Sequence, residues 1–327
     1  MLYPKNFEQK VGFDEIRTLL HNYCLSNMGR ERIDGMQYSS HPALIRLQHS
    51  QVAEFRQIMT EEAELPEQDF FDLREAIKHI SIEGTHMEEK DMWDLYRSLC
   101  TLHSWIQIIR TNDEEQHVKF PALEQVAEGV FTFHSVTKRI EQILDKYGHI
   151  RDEASTELFA IRRELQRTES GISHTLHSIL RSAQAQGLVE KDVSPTIRDG
   201  RLVIPVAPAM KRRLRGIVHD ESATGKTVYI EPADVVEANN RIRELEGEER
   251  REVIRILTEF TDEVRPQIPE ILESYTFLAE IDFIRAKALT AISMDAIKPQ
   301  LYDHPHIDWV EAEHPLLRIT LAKHGKK

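Results

Sequence analysis

A chain of 327 residues, 40% hydrophobic and 30% charged, is long enough for two domains of ordinary size, and its composition excludes a disordered protein. Gly and Pro number only 13 each, which favours long helices. The formal net charge of −13 excludes a surface that attracts nucleic acid everywhere. A local basic grip stays compatible with it, because screening confines each charge to about 8–10 Å.

The N-terminal MLYPKNFEQK has no apolar core of a signal peptide. No run of about 18 apolar residues occurs, so no membrane span is expected. Two cysteines, Cys24 and Cys100, give no disulfide framework in a chain this long. They read as reduced thiols, and the expected location is cytoplasmic.

Residues 1–150 read as a helical core. Phe13 to Leu25 carries Ile16, Leu19, Leu20 and Tyr23 on one helical face. A second helix follows Pro42 through Leu44, Leu47, Val52, Phe55 and Ile58. A third, Asp91 to Arg110, keeps Met92, Leu95, Leu99, Leu102 and Ile106 in register. From Leu158 the apolar positions Ile161, Leu165, Ile172, Leu176, Ile179 and Ala183 form a heptad-like stripe. Such a narrow stripe packs against one partner helix rather than into a broad core. Residues 151–194 thus read as an outgoing lever helix.

Between residues 195 and 232 the pattern changes. Pro and Gly punctuate short β-branched runs: Leu202-Val203-Ile204, Gly216-Ile217-Val218 and Thr227-Val228-Tyr229-Ile230. These read as strands of a small β-rich module. Helical period returns after Pro232 with Val235, Ala238, Ile242, Leu245, Val253, Ile256, Phe260 and Val264, so residues 233–264 read as a return helix. A short chain of further helices is expected through Phe277, Ile281, Ile284 and Leu289, within residues 265–313. The expected fold is mostly α: a helical core plus two long antiparallel lever helices carrying a β-rich clamp at the tip, their narrow stripes covering each other.

The predicted tip is basic. Pro195 to His219 holds Arg198, Arg201, Lys211, Arg212, Arg213 and Arg215 against a single acid, Asp199. Cations without base-reading motifs grip phosphate by neutralising it. The alternative is a solvated turn whose arginines pair with Asp220 and Glu221. No aromatics are interleaved, so stacking on single strands is not supported.

Other signals point away from chemistry. Ala223-Thr224-Gly225-Lys226-Thr227 imitates the end of a phosphate-binding loop, but Asp220 stands where the first glycine belongs. A strand, not a helix N-terminus, should follow it, so a turn between strands is expected. His174 with His177, and His304 with His306, lack the companions of a metal site. No catalytic constellation can be singled out, and no cofactor is expected on these residues.

The segment Thr196-Ile197-Arg198-Asp199-Gly200-Arg201-Leu202-Val203-Ile204-Pro205-Val206 resembles the clamp of the second bacterial type of MutS-like ATPase. So does Gly216-Ile217-Val218-His219-Asp220-Glu221-Ser222-Ala223-Thr224-Gly225-Lys226-Thr227-Val228-Tyr229-Ile230-Glu231-Pro232. Ile150 to Ser155 and Val235 to Asn240 are similar to the starts of that family's outgoing and return helices. Phe13-Asp14-Glu15-Ile16 and Leu278-Ala279-Glu280-Ile281-Asp282 match as well. His314-Pro315-Leu316-Leu317 resembles the opening of its ATPase domain, so residues 314–327 read as a truncated start of that domain.

The resemblance implies a homodimeric parent that binds ATP and magnesium in a domain this chain does not carry, with a Smr nuclease domain common in the family. It implies partners in branched or double-stranded DNA, through suppression of recombination, or in collided ribosomes, through ribosome rescue. The fragment itself is expected to be no enzyme. The competing reading is a scaffold that meets ribosomal or partner proteins without gripping nucleic acid.

Overall fold

The computed structural model describes residues 4–61, 65–66, 68–187, 189–190 and 192–323. Residues 1–3, 62–64, 67, 188, 191 and 324–327 fall within segments assigned above and lie outside this set. The chain is mostly α, with one four-stranded antiparallel sheet among the described residues. It divides into two units, residues 1–140 with 261–327, and residues 141–260.

The first unit holds α1 (Phe7–Lys10), α2 (Phe13–Tyr23), α3 (Asn27–Asp34), α4 (Pro42–Glu61), α5 (Arg74–His79), α6 (Glu89–Ile109), α7 (Pro121–Ala127) and most of α8 (His134–Ile143). The second holds α9 (Thr156–Ala185), β1 (Thr196–Arg198), β2 (Arg201–Val206), β3 (Gly216–Glu221), β4 (Val228–Pro232) and most of α10 (Val236–Val264). The chain then returns to the first unit with α11 (Ile268–Ser293) and α12 (Pro315–Lys323).

The stretch expected to hold further helices through Phe277, Ile281, Ile284 and Leu289 is the single 26-residue α11. It buries residues on nearly every face, from Ile271 and Tyr275 to Phe277, Ile281 and Ala288. A helix that is apolar all round shows no amphipathic stripe, so its length was hidden in the sequence. Its one fully buried acid, Asp282, accepts hydrogen bonds from the Leu25 and Ser26 amides and from the Ser26 hydroxyl. Ser26 in turn caps α3 by accepting from the Gly29 amide at 2.9 Å. The carboxylate thus sits at the positive end of a helix, where orphan amides need an acceptor. Glu54 of α4 does the same for α7, accepting from the Ala122 and Leu123 amides. Neither Cys24 nor Cys100 forms a disulfide, and burial pushes the Cys24 thiol up to about 12.

In the second unit α9 starts at a true cap: Ser155 Oγ accepts from the Leu158 amide at 2.9 Å and donates to Glu252 on α10 at 2.6 Å. Arg162 pairs with Glu249 and Arg241 with Glu164. Rising numbers on α9 meet falling numbers on α10, so the two helices are antiparallel. With 30 residues, α9 is about 45 Å long. Its apolar stripe is anchored at both ends, by Leu158 and Ile161 and by Ile172, Leu176, Leu180 and Ala183. The positions between, Leu165 and Thr168, are half-buried, and ion pairs span that stretch.

The sheet has the order β1-β2-β4-β3. Ile204, Val206, Val228 and Ile230 face Ile172, Leu176, Leu180 and Ala183 of α9, with Val235 and Ile242 closing the cluster. The β-module is therefore held by the C-terminal half of α9 and the first turns of α10. β1 was not anticipated. Its signal was Asp199-Gly200, whose φ values of 47° and 69° make a two-residue hairpin turn between Arg198 and Arg201.

Candidate nucleic-acid interface

The six cations singled out from the sequence fall into two groups. The hairpin register sets Arg198 directly opposite Arg201. Arg201 turns onto the sheet: its Nη1 donates to Glu231 at 2.7 Å and its Nη2 to Asn240 at 2.7 Å. Its side chain is only 14% exposed. Glu231 is fully buried and also accepts from Asn239 at 2.7 Å and from His219 at 2.5 Å. Burial pushes the Glu231 carboxyl up, but the bonds from His219, Arg201 and Asn239 together outweigh it and hold the group below its usual range. Asn239 spans further: its amide exchanges hydrogen bonds with both backbone groups of Leu202. This network locks β2, β4 and α10 together.

Arg198 stays at the surface. Its guanidinium lies 4.4 Å from the Tyr229 ring centroid, donates to the Tyr229 hydroxyl at 3.0 Å and sits 3.7 Å from Asp220. Stacking and pairing hold it flat along the sheet.

The other four cations lie on the connection from β2 to β3. These strands run in the same direction on either side of β4. The connection must therefore travel back along the sheet. Lys211 marks one end, 3.6 Å from Glu221 at the close of β3. Arg215 marks the other: its carbonyl accepts from the Ala233 amide at 3.1 Å, next to the first residue of β3. A short helical turn at Pro208–Met210 starts the path, and Leu214 packs on the core cluster. Arg212, Arg213 and Arg215 are exposed, and none forms an ion pair with the described residues. The acids Asp220 and Glu221 do meet cations, but they meet Arg198 and Lys211.

Gly216 makes this turn possible. A Cβ there would fall against the Glu231 carbonyl oxygen, well inside van der Waals contact. Only a glycine lets the end of the basic turn press this close to β4. The segment Ser222–Thr227 is the turn of the β3–β4 hairpin, closed by a bond from the Ser222 amide to the Thr227 carbonyl at 2.8 Å, with a strand following. Among the described residues no group of three His, Cys, Asp or Glu side chains gathers as a metal site. No helix among them is long and apolar enough to cross a membrane.

Arg243 is a cation that the sequence did not single out. It reaches from α10 to donate to the Asp199 carbonyl of the hairpin turn. Nothing local to the helix signals this, because its partner lies 44 residues earlier.

Comparison with known proteins supplies relatives. The chain is 35% identical over 305 residues to the protein named Endonuclease MutS2 of Geobacillus sp. (strain WCH70), an alignment covering 93% of this chain and 38% of that one. It is 31% identical to Endonuclease MutS2 of Shouchella clausii (strain KSM-K16), over 95% of this chain and 39% of the relative. It is 30% identical to that of Latilactobacillus sakei subsp. sakei (strain 23K), over 94% and 39%. The chain thus spans about two-fifths of the length of the curated relatives it matches. No family model matches it.

Proposed function

This chain belongs to the family of proteins named Endonuclease MutS2, and we propose that it is their nucleic-acid clamp and lever, a binding part rather than a catalytic one. In this reading residues 1–150 and 265–313 are the core, 151–194 and 233–264 the lever, and 195–232 the clamp. An ATPase domain outside the matched stretch, dimerised and loaded with ATP and magnesium, drives the clamp closed. The endonuclease of the relatives' name belongs to that remainder too.

One observation carries the proposal: Arg212, Arg213 and Arg215 stand exposed on a pinned turn and without acid partners among the described residues. The turn runs the length of β3, about 17 Å for strand geometry. Arg198 and Lys211 flank it, their charges partly offset by Asp220 and Glu221. Arg201 supports the sheet from within. No base-reading pair is evident, so the grip is on the backbone of branched or double-stranded DNA or of ribosomal RNA.

The test is anisotropy of a labelled four-way DNA junction titrated with this chain between 50 and 200 mM salt. The variant with Lys211, Arg212, Arg213 and Arg215 changed to Ala should bind weakly and with a flattened salt dependence. Equal affinity and equal slope in the variant would overturn the grip. Exposed Ile197 and Ile217 on the two edge strands favour the second reading, a scaffold for protein surfaces. Binding to ribosomes that survives nuclease treatment would select it.

A further inference from the structure

The first unit contains a cleft of about 600 Å³, walled by α3, α4, α11 and residues 296–299. That volume is typical of a small-molecule site. Ile45 and Val52 of α4 and Phe283 of α11 give it apolar walls. Four cations line it, Arg32, Arg56, Lys287 and Lys298, against two carboxylates, Glu31 and Glu280.

Most of these charges already have partners. Glu31 is held by Arg74 through bonds of 2.7 and 2.8 Å. Glu280 lies 3.6 Å from Arg32. Arg56 donates to the Ala296 carbonyl at 2.6 Å, and Lys298 to the Ser50 hydroxyl at 2.9 Å.

Lys287 is different. Its Nζ rests 3.9 Å from the Phe283 ring centroid, and it forms no ion pair with a described residue. Burial pushes its amine down to about 8 against the opposing pull of Glu280. His49, also in the cleft wall, is pushed down by burial and then by Lys298 and Lys287. A dehydrated ammonium without a counter-ion is costly. An anion entering beside it would remove that cost.

We propose that this cleft binds a small organic anion with an apolar body, its carboxylate or phosphate head paired to Lys287 and its tail against Phe283, Ile45 and Val52. The inference is independent of the clamp, which lies in the other unit.

Calorimetric titration of the full 327-residue chain with octanoate and with octyl phosphate tests it. At least one should bind saturably, and whichever binds tighter names the head group. 1-Octanol, with the tail alone, and inorganic phosphate, with the head alone, should each bind at least tenfold more weakly. Lys287→Met should weaken the anion at least tenfold without lowering the melting temperature. Val52→Trp, which fills the cleft from α4, should abolish binding without touching Lys287. Failure of both anions to saturate would overturn the proposal. So would octanol binding as well as octanoate, or full affinity in a folded Lys287→Met or Val52→Trp protein.

Discussion

Arg201 Nη1 lies 2.7 Å from Glu231 Oε1, and that carboxylate has no solvent exposure. A cation from the most basic segment of the chain is thus used to neutralise the fold's own buried charge. It cannot at the same time face a phosphate. The pairing divides the basic segment into an internal support and an exposed set, Arg212, Arg213 and Arg215.

Arg201→Ala should destabilise the second unit by about 3–5 kcal/mol, because it leaves Glu231 buried with one cation removed. Urea denaturation followed by circular dichroism measures this. A loss under about 1 kcal/mol would mean that Asn239 and His219 suffice without it.

Acid should weaken the same network. The Glu231 carboxyl is held below its ordinary value of 4.5 in the folded chain. Its contribution is therefore complete above pH about 4.5 and is lost as pH falls through the lower folded value. The stability gap between wild type and Glu231→Gln should be widest at neutral pH and should narrow below pH 4.5. A gap that stays constant down to pH 3 would exclude Glu231 as the titrating group.

Gly216→Ala should cost about 1–3 kcal/mol by forcing the start of β3 away from the Glu231 carbonyl. Because Arg215 is the preceding residue, DNA affinity should fall in the same variant although no charge is removed. Unchanged melting would show that β3 yields without strain.

Single changes Arg212→Ala, Arg213→Ala and Arg215→Ala should each reduce the salt slope of DNA binding by about 0.9. Melting temperature should stay at the wild-type value, since none of the three has an ion-pair partner to lose among the described residues. Lys211→Ala should change the slope less, because Glu221 at 3.6 Å already offsets part of its charge. Equal slopes in all four variants would contradict the distinction.

Ser155→Ala removes the cap of α9 and the bond to Glu252. The expected loss is about 1 kcal/mol from the cap, since Glu252 keeps its bonds from Arg255 at 2.6 and 2.7 Å. Thermal melting of the variant reads this directly.

Much of this fold was written locally. The stripe of α9 from Leu158 to Ala183 repeats at helical spacing, and the strands around Ile204, Val218 and Ile230 stand between turn residues. Local pattern decides such elements because each shows one apolar face to a core and the other to water. α11 escaped this logic, since burial on all sides erases the period. β1 escaped it too: three residues are too few for alternation, and only Asp199-Gly200 marked the hairpin.

By itself, the sequence determined that six cations concentrate in residues 198–215 of an acidic chain. Which of them face outward was decided only by the tertiary structure. Strand register aims Arg201 at Glu231, a residue 30 positions away, while β3 brings His219 and α10 brings Asn239 to the same carboxylate. Composition counts charges, but a buried counter-charge chooses among them. That choice depends on contacts distant in sequence, where desolvation makes one pairing worth far more than any at the surface.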